Sequence, residues 1–106
     1  MDIGTNMRKM FSLEGKTVVM TGAAGGIGSK IAEGMALAGA DVALCDINEE
    51  NLLEAKEKIM KTGGKASSHV LDVTKAARIK DCIAEIAGEY GSLDVLINCA
   101  GINKRI

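Results

Sequence analysis

The chain has 106 residues, enough for one domain, and 47% of them are apolar, so a core can form without disulfide or metal staples. A net charge of −1 and two aromatic residues, Phe11 and Tyr90, leave neither the basic face nor the stacking platform of a nucleic-acid reader. The uncharged run from Thr17 to Ser29 is too short and glycine-rich to span a bilayer, and the N-terminus lacks a signal-peptide core.

Residues 1–10 mix methionine and charge without a period and are expected to form a loose extension, with Phe11 and Leu13 packing against the first strand. Thr17-Val18-Val19-Met20 reads as that strand. It runs into Thr21-Gly22-Ala23-Ala24-Gly25-Gly26-Ile27-Gly28, a glycine turn that opens a helix. Glycines here allow positive φ and a close approach to phosphate oxygens, and the helix aims its free N–H groups and positive dipole end at the anion. Glycines in such a place also serve the turn and helix packing alone, so the context has to decide. The helix carries apolar residues at Ile27, Ile31, Met35 and Ala38, expected as its buried stripe, and stops at Gly39. Asp41–Asp46 comes next as a second strand and closes a strand–helix–strand unit of about 30 residues.

Asp46 lies 18 positions after Gly28, at the end of that strand. A carboxylate there can accept from both ribose hydroxyls of an adenosine and repels a 2′-phosphate. Positions 23–25 are Ala, Ala and Gly, with no Arg or Lys to pair with such a phosphate. Both observations point to NAD rather than NADP. Asp46 could instead cap the next helix, but Asn48 is the better cap.

The second helix is expected from about Asn48 to Thr62, with Glu49 and Glu50 in its first turn and Lys56, Lys58 and Lys61 towards its end. Leu52, Leu53, Ile59 and Met60 are its expected buried stripe, and Glu54–Lys58 and Glu57–Lys61 its surface pairs. Gly63-Gly64 ends it. Ala66–Leu71 reads as a third strand with Asp72-Val73 at its end, and Thr74 as the cap of a third helix that buries Ile79, Ile83, Ile86 and Tyr90 and stops at Gly91. Leu93–Ile97 is a fourth strand, nearly all apolar, followed by Asn98-Cys99-Ala100-Gly101. His69, the single histidine, reads as an edge-strand surface residue, without a triad or metal set around it. Cys45, Cys82 and Cys99 lack metal-ligand spacing and read as small buried thiols of a reducing cytoplasm.

Taken together, these elements resemble the N-terminal, cofactor-binding half of short-chain dehydrogenases/reductases, from about Phe11 to Ile102. Thr21-Gly22-x-x-x-Gly26-x-Gly28 is similar to the family's cofactor loop, Asp46 to its NAD-selecting acid, Asp72 to the aspartate near the adenine, and Asn98-Cys99-Ala100-Gly101 to its Asn-Asn-Ala-Gly segment. Gly25 also fits the glycine pattern of the extended, epimerase-like branch; Asp72-Val73 and Asn98–Gly101 favour the shorter one. The resemblance implies a cofactor set of Gly22, Gly25, Gly26, Ile27, Gly28, Asp46, Ile47, Asp72, Val73, Asn98, Cys99, Ala100 and Gly101. It implies an NAD-dependent oxidoreductase, represented here by a Rossmann-type domain over residues 11–106.

Two departures stand out. Cys99 replaces the second asparagine, so a side-chain hydrogen bond there is lost while backbone contacts survive. The family's catalytic Ser and Tyr-x-x-x-Lys find no match, so no catalytic residue is expected in this chain, and Tyr90, with Asp94 four residues on, does not substitute. A nucleotide-binding module without turnover and a truncated or designed half-fold without ligand are the other readings. The expected architecture is a four-stranded parallel sheet in order 3-2-1-4 with three crossover helices, the first two on one face and the third on the other. Its fourth strand is an edge with one charge, no Lys and no Pro, and is expected to pair with a second copy.

Overall fold

The structure, a computed structural model, describes residues 12–99. The N-terminal extension, Phe11, Ala100 and Gly101 lie outside the described residues. Strands β1 (Thr17–Thr21), β2 (Asp41–Asp46), β3 (Lys65–Val70) and β4 (Val95–Asn98) alternate with helices α1 (Gly26–Leu37), α2 (Glu49–Lys61) and α3 (Ala76–Tyr90). The strands form one parallel sheet in the order β3-β2-β1-β4, as expected.

β1 and β2 are apolar on both faces because both faces are covered. Val18, Met20, Val42 and Leu44 point to one side and meet Ala32 and Ala36 of α1 and Leu52, Ala55 and Ile59 of α2. Val19, Ala43 and Cys45 point to the other and meet Ile86 of α3, with Ile79, Cys82 and Tyr90 beside it. Full burial of side chains such as Met20, Leu44, Leu52 and Ile59 contributes about 1.5–3 kcal/mol each. Leu13 packs against the cluster on the α1–α2 side of the sheet.

Three helix faces differ from the periodicity reading. On α1 the fully buried positions are Gly28, Ala32 and Ala36, while Ile27 is 51% exposed and Ile31 and Met35 only flank the core. Small side chains let α1 lie close to the sheet and to α2, so the larger apolar ones are displaced to the rim. On α2 the stripe is Leu52, Ala55 and Ile59; Leu53 and Met60 face outwards. Glu57 pairs with Lys61 at 3.8 Å, whereas Glu54 and Lys58 form no ion pair. On α3 only Ile86 is fully buried. Asn48 caps α2 by accepting from the Asn51 N–H at 3.0 Å. Thr74 does not cap α3, which starts at Ala76 after Lys75, because the Thr74 hydroxyl and N–H both donate to Asp72.

β4 begins two residues later than expected. Asp94 precedes it and accepts from the Thr17 N–H at 2.8 Å, tying the start of β4 to the start of β1. Among the described residues β4 pairs on one side only, and Leu96 is 59% exposed.

Candidate functional site

All four parallel strands end on one edge of the sheet, and the residues just beyond their ends line one cleft. After β1 come Gly22 and Gly25; at the end of β2, Asp46 and Ile47; after β3, Leu71, Asp72, Val73 and Thr74; after β4, Cys99. The cleft has a volume of about 270 Å³. Crevices at the carboxyl ends of the strands are where open α/β sheets bind their ligands.

The floor of the cleft is the turn from β1 into α1. Gly22 takes φ +70°, which an L side chain rarely adopts, and accepts from the Gly25 N–H at 3.3 Å. Gly28, in the first turn of α1, sits so close to this loop that a Cβ would run into the Gly22 carbonyl oxygen and come within 3.2 Å of its carbon. Gly28 is thus a packing glycine that seats the helix on the loop. Gly26 differs: a Cβ there would meet nothing within 4 Å. The fold itself does not require glycine at 26, and the bare backbone leaves open space above the first turn. Gly25 is the N-cap, no side-chain hydrogen bond closes the helix N-terminus, and no acidic residue lies in the first turn. The first-turn amides of Gly26, Ile27 and Gly28 have no partner within the helix and point along its positive end. This cradle fits a diphosphate.

Asp46 stands beside the loop. Its Oδ2 accepts from the Ala24 N–H and its Oδ1 from the Asn48 N–H, each at 3.0 Å. A carboxylate has about four acceptor positions, so two remain for further hydroxyl donors. Ile47, Leu71 and Val73 supply an apolar wall, with Ile47 64% exposed and ready to be covered. Asp72 accepts from the Thr74 hydroxyl at 2.6 Å and from the Thr74 N–H at 3.0 Å, and these bonds, the hydroxyl first, hold its carboxyl below the usual range.

Of the sequence-derived residues, Gly22, Gly25, Asp46, Ile47, Asp72, Val73 and Cys99 line the cleft, and Gly26, Ile27 and Gly28 form the adjoining first turn. Asn98 stands at the side: its Oδ1 accepts from the Thr21 hydroxyl at 2.7 Å, joining the ends of β1 and β4. Cys99 is buried, and its N–H donates to the Thr21 carbonyl at 2.9 Å, extending the pairing of β4 with β1 by one residue. Leu71 and Thr74 were not expected in the site. Leu71 was visible as the last apolar residue of the third strand, and Thr74 as a polar residue beside Asp72.

The remaining titratable groups of interest do not line this cleft. Tyr90 ends α3, which runs back from the cleft, and its hydroxyl donates to Ser67 at 2.6 Å. Burial pushes its pKa up against the opposing Ser67 bond. Ser67 also pairs with the His69 ring at 2.9 Å. Burial, with Cys82 and Asp46 nearby, pushes the Cys45 thiol up to about 12. Among the described residues no group of His, Cys, Asp or Glu could hold a metal ion, and no helix is long and apolar enough to cross a membrane.

The family model for short chain dehydrogenases matches residues 16–106. Gluconate 5-dehydrogenase from Gluconobacter oxydans (strain 621H) is 43% identical over 96 residues, which are 91% of this chain and 38% of that protein. The crystal structure of a dehydrogenase/reductase from Sinorhizobium meliloti 1021 superposes with a TM-score of 0.88 at 39% identity, over 92% of this chain and 39% of that one. Similar solved structures include an NAD+-bound xylitol dehydrogenase (TM-score 0.77, 33% identity, 79% of this chain and 32% of that one) and a metagenomic short-chain oxidoreductase with NADP (TM-score 0.76, 34% identity, 78% and 38%). The chain spans between about a third and two fifths of the length of these relatives.

Proposed function

The chain belongs to the short-chain dehydrogenase family, and from that premise we propose that it is the NAD-binding part of an oxidoreductase. The observation that carries the reading is the pairing of the open glycine turn at Gly22–Gly28 with the Asp46 carboxylate on one cleft. The first-turn amides of α1 hold the diphosphate. Asp46 accepts from the ribose hydroxyls of the adenosine, while Ile47, Leu71 and Val73 give the adenine an apolar wall and Asp72 a polar edge. Bound NAD supplies the site at which a hydride is accepted or released. The set Gly22, Gly25, Gly26, Ile27, Gly28, Asp46, Ile47, Asp72, Val73, Asn98 and Cys99 contributes binding and orientation, with Ala100 and Gly101 continuing it along the chain. None of these acts as a proton donor, so the chain alone turns nothing over.

NAD is favoured over NADP because a 2′-phosphate would meet the Asp46 charge, and the loop beside it carries Ala23 and Ala24 rather than a cation. Titration calorimetry of the purified chain tests the reading. ADP and NAD bind with a Kd on the order of 0.1 mM or weaker, because half of a dinucleotide's contacts are present. Nicotinamide mononucleotide and NADP bind more weakly still. Tight binding of the mononucleotide, or NADP equal to NAD, overturns it.

Two properties accompany this reading. The three cysteines are free thiols, Cys45 packed beside Cys82, which suits a reducing cytoplasm. The exposed β4 edge, with Val95 36% and Leu96 59% accessible, pairs with a second copy. Light scattering then shows dimers; a monomer at all concentrations refutes the pairing.

A further inference from the structure

Two successive amides of the loop are anchored to the end of β2. The Ala23 N–H donates to the Cys45 backbone carbonyl at 3.1 Å, and the Ala24 N–H donates to the Asp46 side chain at 3.0 Å. The first bond survives any substitution at position 46. The second depends on a side-chain acceptor oxygen there, and is strongest with a carboxylate. The other oxygen of that carboxylate is held by the Asn48 N–H, which fixes the side chain against the turn into α2. Asp46 is therefore a strut between two segments, oriented from one side and gripping the loop from the other, before any ligand arrives.

We propose that Asp46 is a positioning residue of the phosphate loop, holding Ala24 so that the amides beyond it converge on a diphosphate, independently of its contact with a ribose. This rests on the reading of Gly22–Gly28 as a diphosphate cradle. Ala24 lies between Gly22, whose positive φ starts the turn, and Gly25, the N-cap of α1. Both glycines leave the chain conformationally loose, and the Gly25 N–H to Gly22 carbonyl bond, at 3.3 Å, is a long closure. A charge-assisted bond to the residue between them is the strongest restraint on the turn. The geometry also separates the two roles: the loop amide uses one acceptor position of Oδ2, and the ribose hydroxyls use positions that it leaves open.

The experiment compares ADP with 2′,3′-dideoxyadenosine 5′-diphosphate, which lacks both hydroxyls, on the unaltered chain and on Asp46→Ala. A residue that touched the ribose alone would leave the dideoxy compound unaffected. The expected result is a loss for the dideoxy compound of about ten-fold, the scale of one charge-assisted hydrogen bond, and a larger loss for ADP. Dideoxy binding to Asp46→Ala within two-fold of the unaltered chain overturns the proposal.

Amide hydrogen exchange without ligand gives the second readout. In Asp46→Ala the Ala24 amide exchanges on the order of ten-fold faster, while Ala23 and the β1 amides of Val18 and Val19 keep their rates. Unchanged Ala24 exchange overturns the proposal, and acceleration of all four amides assigns Asp46 a general structural role instead. Asp46→Asn, which keeps an acceptor oxygen on the same stem, restores part of the Ala24 protection. Absence of any binding of either diphosphate to the unaltered chain refutes the cradle reading, whereas the exchange rates decide the strut by themselves.

Discussion

Gly26 and Gly28 stand two residues apart in one turn of α1, yet their substitutions should move stability in opposite directions. At Gly28 an added methyl meets the Gly22 carbonyl oxygen and lies 3.3 Å from the Ala23 Cα. All of these neighbours are backbone, so no side chain can swing away; the helix must lift off the loop. Such overpacking costs about 3 kcal/mol, offset by the 0.5–1 kcal/mol that alanine gains over glycine in a helix, for a net loss of about 2 kcal/mol. At Gly26 the methyl meets nothing within 4 Å and the backbone is already helical, so Gly26→Ala keeps the propensity gain, up to about 1 kcal/mol. The space it fills is the space assigned to the diphosphate. Urea unfolding followed by circular dichroism, paired with ADP titration calorimetry, separates the two effects. Gly28→Ala should lower both the unfolding midpoint and the affinity. Gly26→Ala should raise the midpoint and weaken ADP on the order of ten-fold or more, about 1.4 kcal/mol. Undiminished ADP binding by a folded Gly26→Ala chain would refute the phosphate role of the loop.

Removal of the α2 cap by Asn48→Ala should cost about 1 kcal/mol of stability and leave ADP affinity unchanged, since the bond from position 48 to Asp46 comes from the backbone N–H. An affinity loss there, in a chain that remains folded, would mean that the cap also shapes the cleft. The Cys45 thiol has a folded pKa of about 12 against 9.0 for the free group, so the fold holds the proton. Its contribution is intact below pH 9 and is lost as pH rises towards 12. Urea unfolding at about pH 8 and about pH 10.5, on either side of the free thiol's titration, should therefore show a fall in stability that Cys45→Ala reduces; an equal fall in both chains would show that other groups carry it.

The order of elements and the loop were legible because each depends on a local signal. Strands buried on both faces read as unbroken apolar runs, the turn reads as glycines, and Asn48 occupies a cap position with acids behind it. Helix faces were less legible. The rule that a stripe of large apolar residues faces inwards selects Ile27, Ile31 and Met35 on α1, but the side chains buried there are Ala32 and Ala36. Close approach rewards small side chains, and no single-helix period reports how near a neighbour will come. On α2 the buried positions are Leu52, Ala55 and Ile59, and Leu53 and Met60, each one residue further along, are turned outwards by the helical period.

The site shows a related limit. Which residues reach the cleft is set by where strands end, so Asp46 could be placed from its spacing to the glycine loop, and Ile47, Asp72 and Val73 from the family resemblance. What those residues do to each other could not. The Thr74 hydroxyl looked like a cap for α3, yet its bond with Asp72 turns the chain one residue too early for that role. Asp46 looked like a group reserved for a ligand, yet both of its oxygens already serve the backbone. Polar side chains at strand ends have several partners within reach, and the choice among them is made by small displacements in the loops. The cleft is thus assembled in two tiers: strand order, written in hydrophobic pattern, brings the groups to one edge, and a set of side-chain-to-backbone bonds sets the shape they present.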